Sequence, residues 1–495
     1  MKSSVLTYDP LLLEIADYAA GYTVENDAAL NAARHCLLDS LACALEALEH
    51  PECTRLLGPV VPGAVVATGA RVPGTSWMLD PVKAGFDIAT AIRWLDLSDT
   101  WTSKQTTHPS DDIGSILALC DWLSRSGKPV TMLDALQAIA KAHELQGGLG
   151  AHMPITTFGI DNVFLTKLAC AAVLAQLLDG DRTQVANAVS LAFFEPSLCV
   201  HRFGSNTGPR KGWAGADATA DAMRFAMMAV AGEPGYPQVL SHPVWGFNRH
   251  FLDGKALQLG PVSDRVIQGV QYKFYPAVVH VQSQVECAIA LHPKVKDRLD
   301  DIASIAIETH REPMAKISKT GPLRNPADRD HCMQYSVAVA LLKGALSAHD
   351  YEDEAAADPR IDTLRGRITA SENPHYTARF DDPERRANPA AVEVRFRDGR
   401  TERCELEYPA GHFSRRSEGL AMIEAKFRTA LALRFDGAQQ QRIAALAFDH
   451  ERLLRMPVHE FTDAFAADVI ARSAPFVLSV AKRSRRTNNP GASAP

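Results

Sequence analysis

The stretch that decides the fold runs Asp96-Leu-Ser-Asp-Thr-Trp-Thr-Ser-Lys-Gln-Thr-Thr-His-Pro-Ser-Asp111, a polar segment between two apolar ones. Apolar side chains recur at helical spacing on both sides of it, which predicts one helix before the segment and one after it. These side chains are Ala84, Ile88, Ala91, Ile92 and Leu95 upstream, and Ile113, Ile116, Leu117, Cys120 and Leu123 downstream. A core is therefore expected to hold the loop at both ends, although the loop carries carboxylates, hydroxyls and a histidine.

The charged groups of this loop indicate acid/base chemistry. Asp96 is predicted at the C-terminal end of its helix, where the helix dipole repels negative charge and raises a carboxylate pKa. Ser110 is a natural N-cap, so His108 lies just before a helix N-terminus, where backbone N–H groups attract anions. This combination suits proton transfer on an anionic substrate. The alternative is that Asp99, Ser110 and Asp111 only cap and turn the chain.

The composition excludes several classes of protein. A chain of 495 residues is long enough for two domains. Its formal net charge of -6 gives no reason to expect nucleic acid as a partner. No apolar run approaches the ~20 residues that a bilayer requires, so no membrane association is expected. The N-terminal residues contain no apolar signal segment, and a cytoplasmic location is the expectation.

The cysteines and the missing motifs predict an activity without a metal or cofactor. The nine cysteines are scattered and include no C-x-x-C pair, which favours reduced thiols and argues against an iron–sulfur cluster. The sequence also lacks H-E-x-x-H spacing, a G-x-G-x-x-G turn before a helix and a Walker sequence. We therefore expect neither a metal nor a cofactor.

Helical periodicity dominates the first half of the chain, and strand patterns appear after it. Helices are predicted at residues 28–47, 131–145, 164–178 and 213–230. Four valines, Val60, Val61, Val65 and Val66, suggest a short β ribbon within residues 59–78. A strand is predicted over Ile302–Thr309. A hairpin is predicted where Val392, Val394 and Phe396 alternate before Asp398-Gly399, and Cys404, Leu406 and Tyr408 alternate after it.

These patterns predict a mainly α protein with an α/β part. A large all-helical domain is expected to use both chain ends, residues 1–271 and 409–480. A smaller α/β lid domain is expected at residues 272–408, and a disordered tail at residues 481–495. The cleft between the two domains is the default active site.

Three further polar clusters stand beside predicted helices. Arg210 and Lys211 precede a small-residue helix, an arrangement that binds carboxylates, although a solvated basic turn is commoner. His280 opens a helix and is more often a cap or a satisfied core histidine there than a catalyst. Residues 325–335 form a dense polar cluster in which Tyr335 is either a site residue or a buried hydrogen-bond donor. Together these groups predict cofactor-free proton transfer on a small acid with several charges.

Five groups of motifs give the sequence a family resemblance over about residues 10–470. They are Asp96–Trp101 with His108–Asp111, Lys141–Gly147, Asn206–Trp213, Asn325–Cys332, and Tyr408–His412 with Met456–Val458. In this order they resemble the MmgE/PrpD family. The resemblance implies an all-helical domain with a smaller α/β lid, a homodimer, and an activity that needs no iron–sulfur cluster.

The resemblance also implies a reaction and a set of site residues. The reaction is the elimination of water from a tricarboxylate, 2-methylcitrate, to give 2-methyl-cis-aconitate in propionate breakdown, with citrate or aconitate as side substrates. The implied catalytic residues are Asp96, His108, His280 and Tyr335. The expected substrate-binding residues are Thr100 and Lys211, with Arg210 and Arg202 nearby in sequence.

Cations are expected to stabilise the enolate-like charge that develops when the weakly acidic proton leaves. Asp96 or His108 is expected to be the base, and another of His108, His280 and Tyr335 to protonate the departing hydroxide.

Three other activities are open to such a sequence. A cis-aconitate decarboxylase of the same family would release CO₂ from the same kind of pocket. An epimerase of a related polycarboxylate would move a proton and leave the substrate mass unchanged. An Ala-rich helical scaffold that only binds a partner would show no turnover.

Overall fold

The computed structural model describes residues 7–202 and 207–467. Asn206 of the third motif, the end of the predicted helical return (468–480) and the predicted tail (481–495) lie outside the described residues.

Helices form most of the first half of the described chain. They are α1 (Pro10–Gly21), α2 (Asp27–Ala47), α3 (Pro51–Thr54), α4 (Pro81–Arg93), α5 (Ile113–Arg125), α6 (Met132–His152), α7 (Val163–Leu177), α8 (Arg182–Ala192), α9 (Ala214–Val230), α10 (Phe247–Phe251) and α11 (Arg265–Gly269). The four helices predicted from periodicity are confirmed as α2, α6, α7 and α9. Side chains cap several of them; Asp80, for example, accepts from the Lys83 N–H at the start of α4.

The two helices that flank the loop at residues 96–111 pack closely against each other. Ile88 and Ile92 of α4 and Ile116 of α5 are buried in the same core. A Cβ atom at Gly114 of α5 would lie 2.5 Å from the backbone nitrogen of Ala89 in α4. A glycine at this position therefore allows the approach that sets the distance between the two ends of the loop.

The predicted β ribbon exists, but not at the valines. The ribbon consists of β1 (Ala70–Arg71) and β2 (Met78–Leu79), which pair antiparallel. Val60, Val61 and Val65 are 78%, 65% and 91% exposed and lie outside any strand. The prediction of strands at these valines is wrong because β propensity alone does not supply a partner strand or a buried face.

The second half of the chain contains a mixed sheet. Its strands are β3 (Ile302–Thr309), β4 (Ile368–Glu372), β5 (Ala390–Phe396) and β6 (Thr401–Leu406), in the order β4-β3-β5-β6. β3 pairs parallel with β4 and antiparallel with β5, and β5 pairs antiparallel with β6. The predicted strand and hairpin are confirmed, with Gly399 in the left-handed conformation at the turn (φ +88°).

The remaining helices surround this sheet or return to the first half. Around the sheet lie α12 (Gln282–Val295), α13 (Arg311–Lys316), α14 (Pro326–Arg329), α15 (Met333–Lys343), α16 (Asp353–Ala356), α17 (Pro359–Arg365) and α18 (Pro374–Asp381). The chain then forms α19 (Arg416–Arg434), α20 (Gly437–Ala447), α21 (His450–Arg455) and α22 (Val458–Asp463). The protein is thus mainly α with an α/β part.

The described residues form two large apolar cores. The first includes Leu37 of α2 and Ile116 of α5 together with Phe427 of α19 and Phe461 of α22, so the returning helices pack on the first half of the chain. The second includes Val285 of α12, Val337 of α15, and Ile305 and Val392 of the sheet. For brevity, the helical part is the portion around the first core, and the α/β part is the portion around the second. Within the described ranges, none of the helices combines the length and the apolar character needed to cross a membrane.

Candidate active site

The loop between α4 and α5 begins with an uncommon backbone conformation at Asp96 and is held by the carboxylate of Asp99. Asp96 follows α4 in the left-handed backbone conformation (φ +51°), which is uncommon for a residue with a side chain. Residues Pro109–Asp112 form a 3₁₀ turn before α5, and the Ser110 N–H donates to Asp99 Oδ1 over 3.0 Å. The expectation that Ser110 is the cap is therefore wrong, because the capping oxygen belongs to Asp99.

Asp96 is a buried carboxylate surrounded by cations. Its Oδ1 accepts from Arg93 Nη1 over 2.6 Å and from Lys273 Nζ over 2.5 Å. Lys211 Nζ lies 3.6 Å from Oδ2. Burial opposes the charge, but the cations outweigh burial and hold the pKa of Asp96 well below its usual value. The expected rise in this pKa is wrong because the neighbouring cations act more strongly than the helix dipole.

The α/β part contributes Asp330 and His331 to the same cluster. Asp330 Oδ2 accepts from Lys211 Nζ over 2.6 Å, and its Oδ1 lies 2.5 Å from His331 Nδ1. His331 Nε2 lies 3.7 Å from Asp96 Oδ2. Lys211 and Asp330 also line a cavity of about 340 Å³ between the helical and α/β parts. The buried cluster therefore borders a space large enough for a small ligand.

His108 shares the loop of Asp96, and the charges of Arg93, Lys273 and Asp96 act on its ring. Its Nδ1 lies 3.0 Å from the carbonyl oxygen of Asp99 and 3.4 Å from Thr100 Oγ1. A carbonyl only accepts, so Nδ1 carries the proton and Nε2 is left as the acceptor. Burial, with the charges of Arg93 and Lys273, holds the pKa of His108 well below its usual value, so the imidazole is neutral.

Thr100 connects the loop to the segment that carries Lys273. Thr100 and Gln271 exchange two backbone hydrogen bonds, each 2.8 Å long. Lys273 is fully buried, and burial lowers its pKa to about 8 although Asp96 favours its charged form. Lys273 is therefore a charged donor at pH 7 that can also release a proton close to neutrality.

His280 lies in the turn Val279–Val281 before α12 and is buried. Its ring packs edge-on against His310 and Phe380, with centroids 5.6 Å and 5.8 Å away. Burial, together with the charges of Lys316 and other neighbours, holds the pKa of His280 well below its usual value. The charges of His331 and Lys273 also contribute to this lowering, while the ring contacts of His280 are with His310 and Phe380.

Tyr335 and Arg210 form their contacts away from the Asp96 cluster. The Tyr335 hydroxyl donates to the carbonyl oxygen of Asp350 over 2.7 Å, inside the second core. Arg210 pairs with Asp217 over 2.9 Å and stacks on Trp213. The contacts of these two described side chains do not bring them to Asp96.

Arg202 is buried, and only part of its guanidinium group has a hydrogen-bond partner among the described residues. Its Nε lies 2.7 Å and 2.8 Å from the two oxygens of Asp161, whereas its Nη2 has no hydrogen-bond partner among the described residues. The charge of Arg202 also contributes to the lowered pKa of His108.

Among the described residues, two groups of side chains bring possible metal-ligand atoms close together. Asp96, Asp330 and His331 each place one ligand atom within 4.8 Å of the others, as do Cys36, Asp99 and His143. In the first group the ammonium groups of Lys211 and Lys273 already contact the carboxylates, so a divalent ion would compete with both.

Four residues of the cluster were not among the sequence candidates: Arg93, Lys273, Asp330 and His331. Arg93 stands three residues before Asp96, a helical spacing that favours an ion pair and could have been recognised. Asp330 and His331 belong to the polar cluster at 325–335, in which only Tyr335 was considered as a site residue from the sequence. Lys273 carries no local signal, because its partner Asp96 is 177 residues away.

The fold and the site together define a mainly helical protein with a buried cluster of acidic and basic side chains where a helical and an α/β part meet. Two family models match the chain: the MmgE/PrpD N-terminal domain over residues 13–260 and the MmgE/PrpD C-terminal domain over residues 275–450. The chain belongs to the MmgE/PrpD family.

Curated relatives share nearly the whole length of the chain. A protein of Cupriavidus necator named 2-methylcitrate dehydratase is 47% identical over 470 residues, covering 92% of this chain and 97% of that protein. A protein of the same name from Escherichia coli K12 is 46% identical with the same coverage. A protein of Yarrowia lipolytica named 2-methylcitrate dehydratase, mitochondrial, is 40% identical and covers 92% of this chain and 90% of its own length.

Proposed function

We propose that the chain is a hydro-lyase that eliminates water from 2-methylcitrate to give 2-methyl-cis-aconitate, a step of propionate catabolism. The observation that carries the proposal is the buried cluster in which Arg93, Lys211 and Lys273 surround Asp96. His108, a neutral histidine whose Nε2 carries no proton, shares the loop of Asp96, and the charges of this cluster act on its ring. The relatives reported above are named for this activity, and this chain aligns with almost their full length.

Substrate binding is assigned to the cations at the cavity. Lys211 lines the cavity, and its ion pair with Asp330 can be exchanged for a pair with a substrate carboxylate. Arg202 Nη2 and Thr100 Oγ1 are the further donors assigned to the substrate. Arg210, which is paired with Asp217 and partly exposed, is assigned no direct contact.

We assign the base to His108 rather than to Asp96. The proton to be removed is weakly acidic, so it needs an unprotonated acceptor, and the anion that it leaves behind must be stabilised. Asp96 is a poor acceptor because Arg93 and Lys273 already donate to its Oδ1, whereas Nε2 of the neutral His108 carries no proton. The role of Asp96 is to gather those cations, which can then face the enolate-like charge that develops on the substrate.

We assign protonation of the departing hydroxyl group to Lys273. The Lys273 ammonium, with a pKa of about 8, is a far stronger acid than a neutral imidazole such as that of His280. Tyr335 is a weaker acid than Lys273 as well, because burial raises the pKa of its hydroxyl to about 12. It would also have to break its hydrogen bond to Asp350 first.

The domain organisation we propose has one helical domain at residues 1–271 and 409–480 and an α/β lid at residues 272–408. It is supported by the two cores, because α19 to α22 pack with the first half of the chain and not with the sheet. The homodimer and the cytoplasmic location remain predictions. Analytical ultracentrifugation and cell fractionation would test them.

The direct test incubates purified, EDTA-treated protein with 2-methylcitrate. The ultraviolet absorbance of a carboxylate-conjugated double bond is recorded while released CO₂ is trapped. We expect absorbance to rise without CO₂. Release of CO₂ would indicate a decarboxylase, and proton exchange at unchanged mass would indicate an epimerase. A reaction that requires added iron would overturn the metal-free mechanism.

A further inference from the structure

A second buried polar cluster lies directly behind the loop that carries His108. His143 of α6 is fully buried, and its Nδ1 lies 2.9 Å from Asp112 Oδ2. Its Nε2 lies 3.6 Å from Asp99 Oδ2. The two carboxylates stand on either side of His108 in sequence, so one imidazole contacts both flanks of the loop.

The imidazole in this cluster is positively charged. Burial alone would favour its neutral form, but Asp112 and Asp99 outweigh burial and raise the pKa of His143 well above its usual value. Cys36 Sγ also faces Asp99 Oδ2 at 3.7 Å and Tyr272 Oη at 3.5 Å. Burial raises the pKa of Cys36 to about 11 and that of Tyr272 well above its usual value, so both are neutral. One cation therefore stands between two carboxylates.

Asp99 connects this cluster to His108 through its own backbone. Its carboxylate accepts from the Ser110 N–H and faces His143, while its carbonyl oxygen accepts the Nδ1 proton of His108 over 3.0 Å. One turn after His143, Gln146 Nε2 donates to Asp112 Oδ2 and to the Pro109 carbonyl, each over 3.1 Å. Helix α6 thus holds the residues on both sides of His108.

We propose that His143 is a positioning residue which, through Asp99 and Asp112, keeps the loop in the conformation that leaves Nε2 of His108 free to accept a proton. Histidines that bind metals depend in a similar way on an outer partner that fixes tautomer and ring orientation. The assignment of His108 as base rests on the proposed function, whereas the effect of His143 on the protonation of His108 does not.

The test compares His143→Gln with the double variant His143→Gln/Asp112→Asn. Loss of the cation leaves the Asp99 carboxylate without a positive partner, and Asp112 as well where it is ionised, since burial already raises the pKa of Asp112 to about 6. The other charged neighbours of His108 are Arg93, Lys273, Asp96 and Arg202. We therefore expect the midpoint for protonation of His108 to move to higher pH in the single variant. It should return towards the wild-type value in the double variant, which restores the net charge.

Two readouts separate this inference from the proposed function. Histidine-selective isotope labelling follows the His108 ring by NMR without any substrate, with His108→Gln to assign the signal. The acid limb of kcat/KM for 2-methylcitrate should move in the same direction, and kcat should fall about 10- to 100-fold, as for other supporting partners of a functional imidazole. If the wild-type protein did not turn over 2-methylcitrate, that result would count against the proposed function and not against the role of His143.

Two further variants guard against a merely structural effect. His292→Gln removes a half-buried histidine that bonds the Leu341 carbonyl over 2.8 Å in the α/β part, and it should leave the His108 midpoint unchanged. Asp112→Asn keeps the shape of the side chain and leaves Asp99 to favour the charged form of His143, so it should fold even if His143→Gln does not. In this variant the midpoint for protonation of His108 should move to lower pH or stay constant. A rise in Asp112→Asn, or an unchanged midpoint in folded His143→Gln, would overturn the proposal.

Discussion

Lys211 Nζ lies 2.6 Å from Asp330 Oδ2, and this buried ion pair joins the helical part to the α/β part at the edge of the cavity. A substrate carboxylate that takes the place of Asp330 would bind Lys211 and release Asp330 in one step. Substrate binding and the contact between the two parts are thereby coupled through a single lysine.

Lys211→Met keeps the apolar stem of the lysine and removes its charge. We expect kcat/KM for 2-methylcitrate to fall roughly 10- to 100-fold, because a hydrogen bond to a charged group contributes about 1.5–3 kcal/mol. Steady-state kinetics on folded protein would measure it. The matched control is Lys141→Met, since Lys141 is also buried but donates to the Ala19 carbonyl over 2.8 Å inside the helical part. Equal kinetics in the two variants would contradict a role for Lys211 in binding.

Part of the site was visible in the sequence because it is local. Asp96, Thr100 and His108 share one loop between two periodic helices, and the structure keeps them within that loop. The pKa of Asp96 was predicted in the wrong direction, because a helix-dipole argument includes only the helix to which the residue belongs. Arg93, three residues away, lowers that pKa most, and Lys273 and Lys211, which add to the effect, come from distant segments whose approach depends on the tertiary fold.

The fold shows the same division between local and distant information. Local patterns predicted α2, α6, α7, α9 and the β5–β6 hairpin, although α7 is buried almost all round rather than on one face. These patterns misplaced the ribbon, because Val60 and Val65 are apolar and yet exposed. Apolar composition without a repeating pattern does not identify a buried strand.

His108 determines the expected response to acid. As a base it works in the neutral form, and its pKa is lowered well below the usual value, so activity should persist as the pH falls below about 6.5. His108→Ala should lose ~10²–10⁴-fold in kcat. The pH dependence of kcat/KM, measured from acid to neutral pH, shows the pH below which activity declines. An acid limb above the ordinary histidine value, or full activity in a folded His108→Ala, would refute the assignment.

Lys273 determines the expected response to alkali. As an acid it works when protonated, so kcat should decline as the pH rises through about 8. Lys273→Met should show a low kcat without that decline. His280→Gln should retain the decline, since it leaves the ammonium in place. Profiles of kcat for the three proteins between pH 6 and 10 decide between the two residues, and a decline lost only in His280→Gln would transfer the role to His280.

Gly114→Ala tests whether the contact between α4 and α5 holds the catalytic loop. The new Cβ would lie 2.5 Å from the backbone nitrogen of Ala89, and a backbone atom in a packed helix cannot turn aside as a side chain can. We expect a loss of about 1–3 kcal/mol in the free energy of unfolding. The helices must separate, which moves Asp96 relative to Asp111, so kcat should also fall in protein that is still folded.

Gly437→Ala is the control for this substitution, because Gly437 opens α20 and a Cβ there meets nothing within 4 Å. Alanine favours a helix over glycine, so the thermal midpoint of this variant should stay the same or rise. Thermal unfolding followed by circular dichroism gives the stabilities, and turnover of 2-methylcitrate gives the activities. If Gly114→Ala unfolded and turned over like Gly437→Ala, the spacing of α4 and α5 would not be what holds Asp96 among its cations.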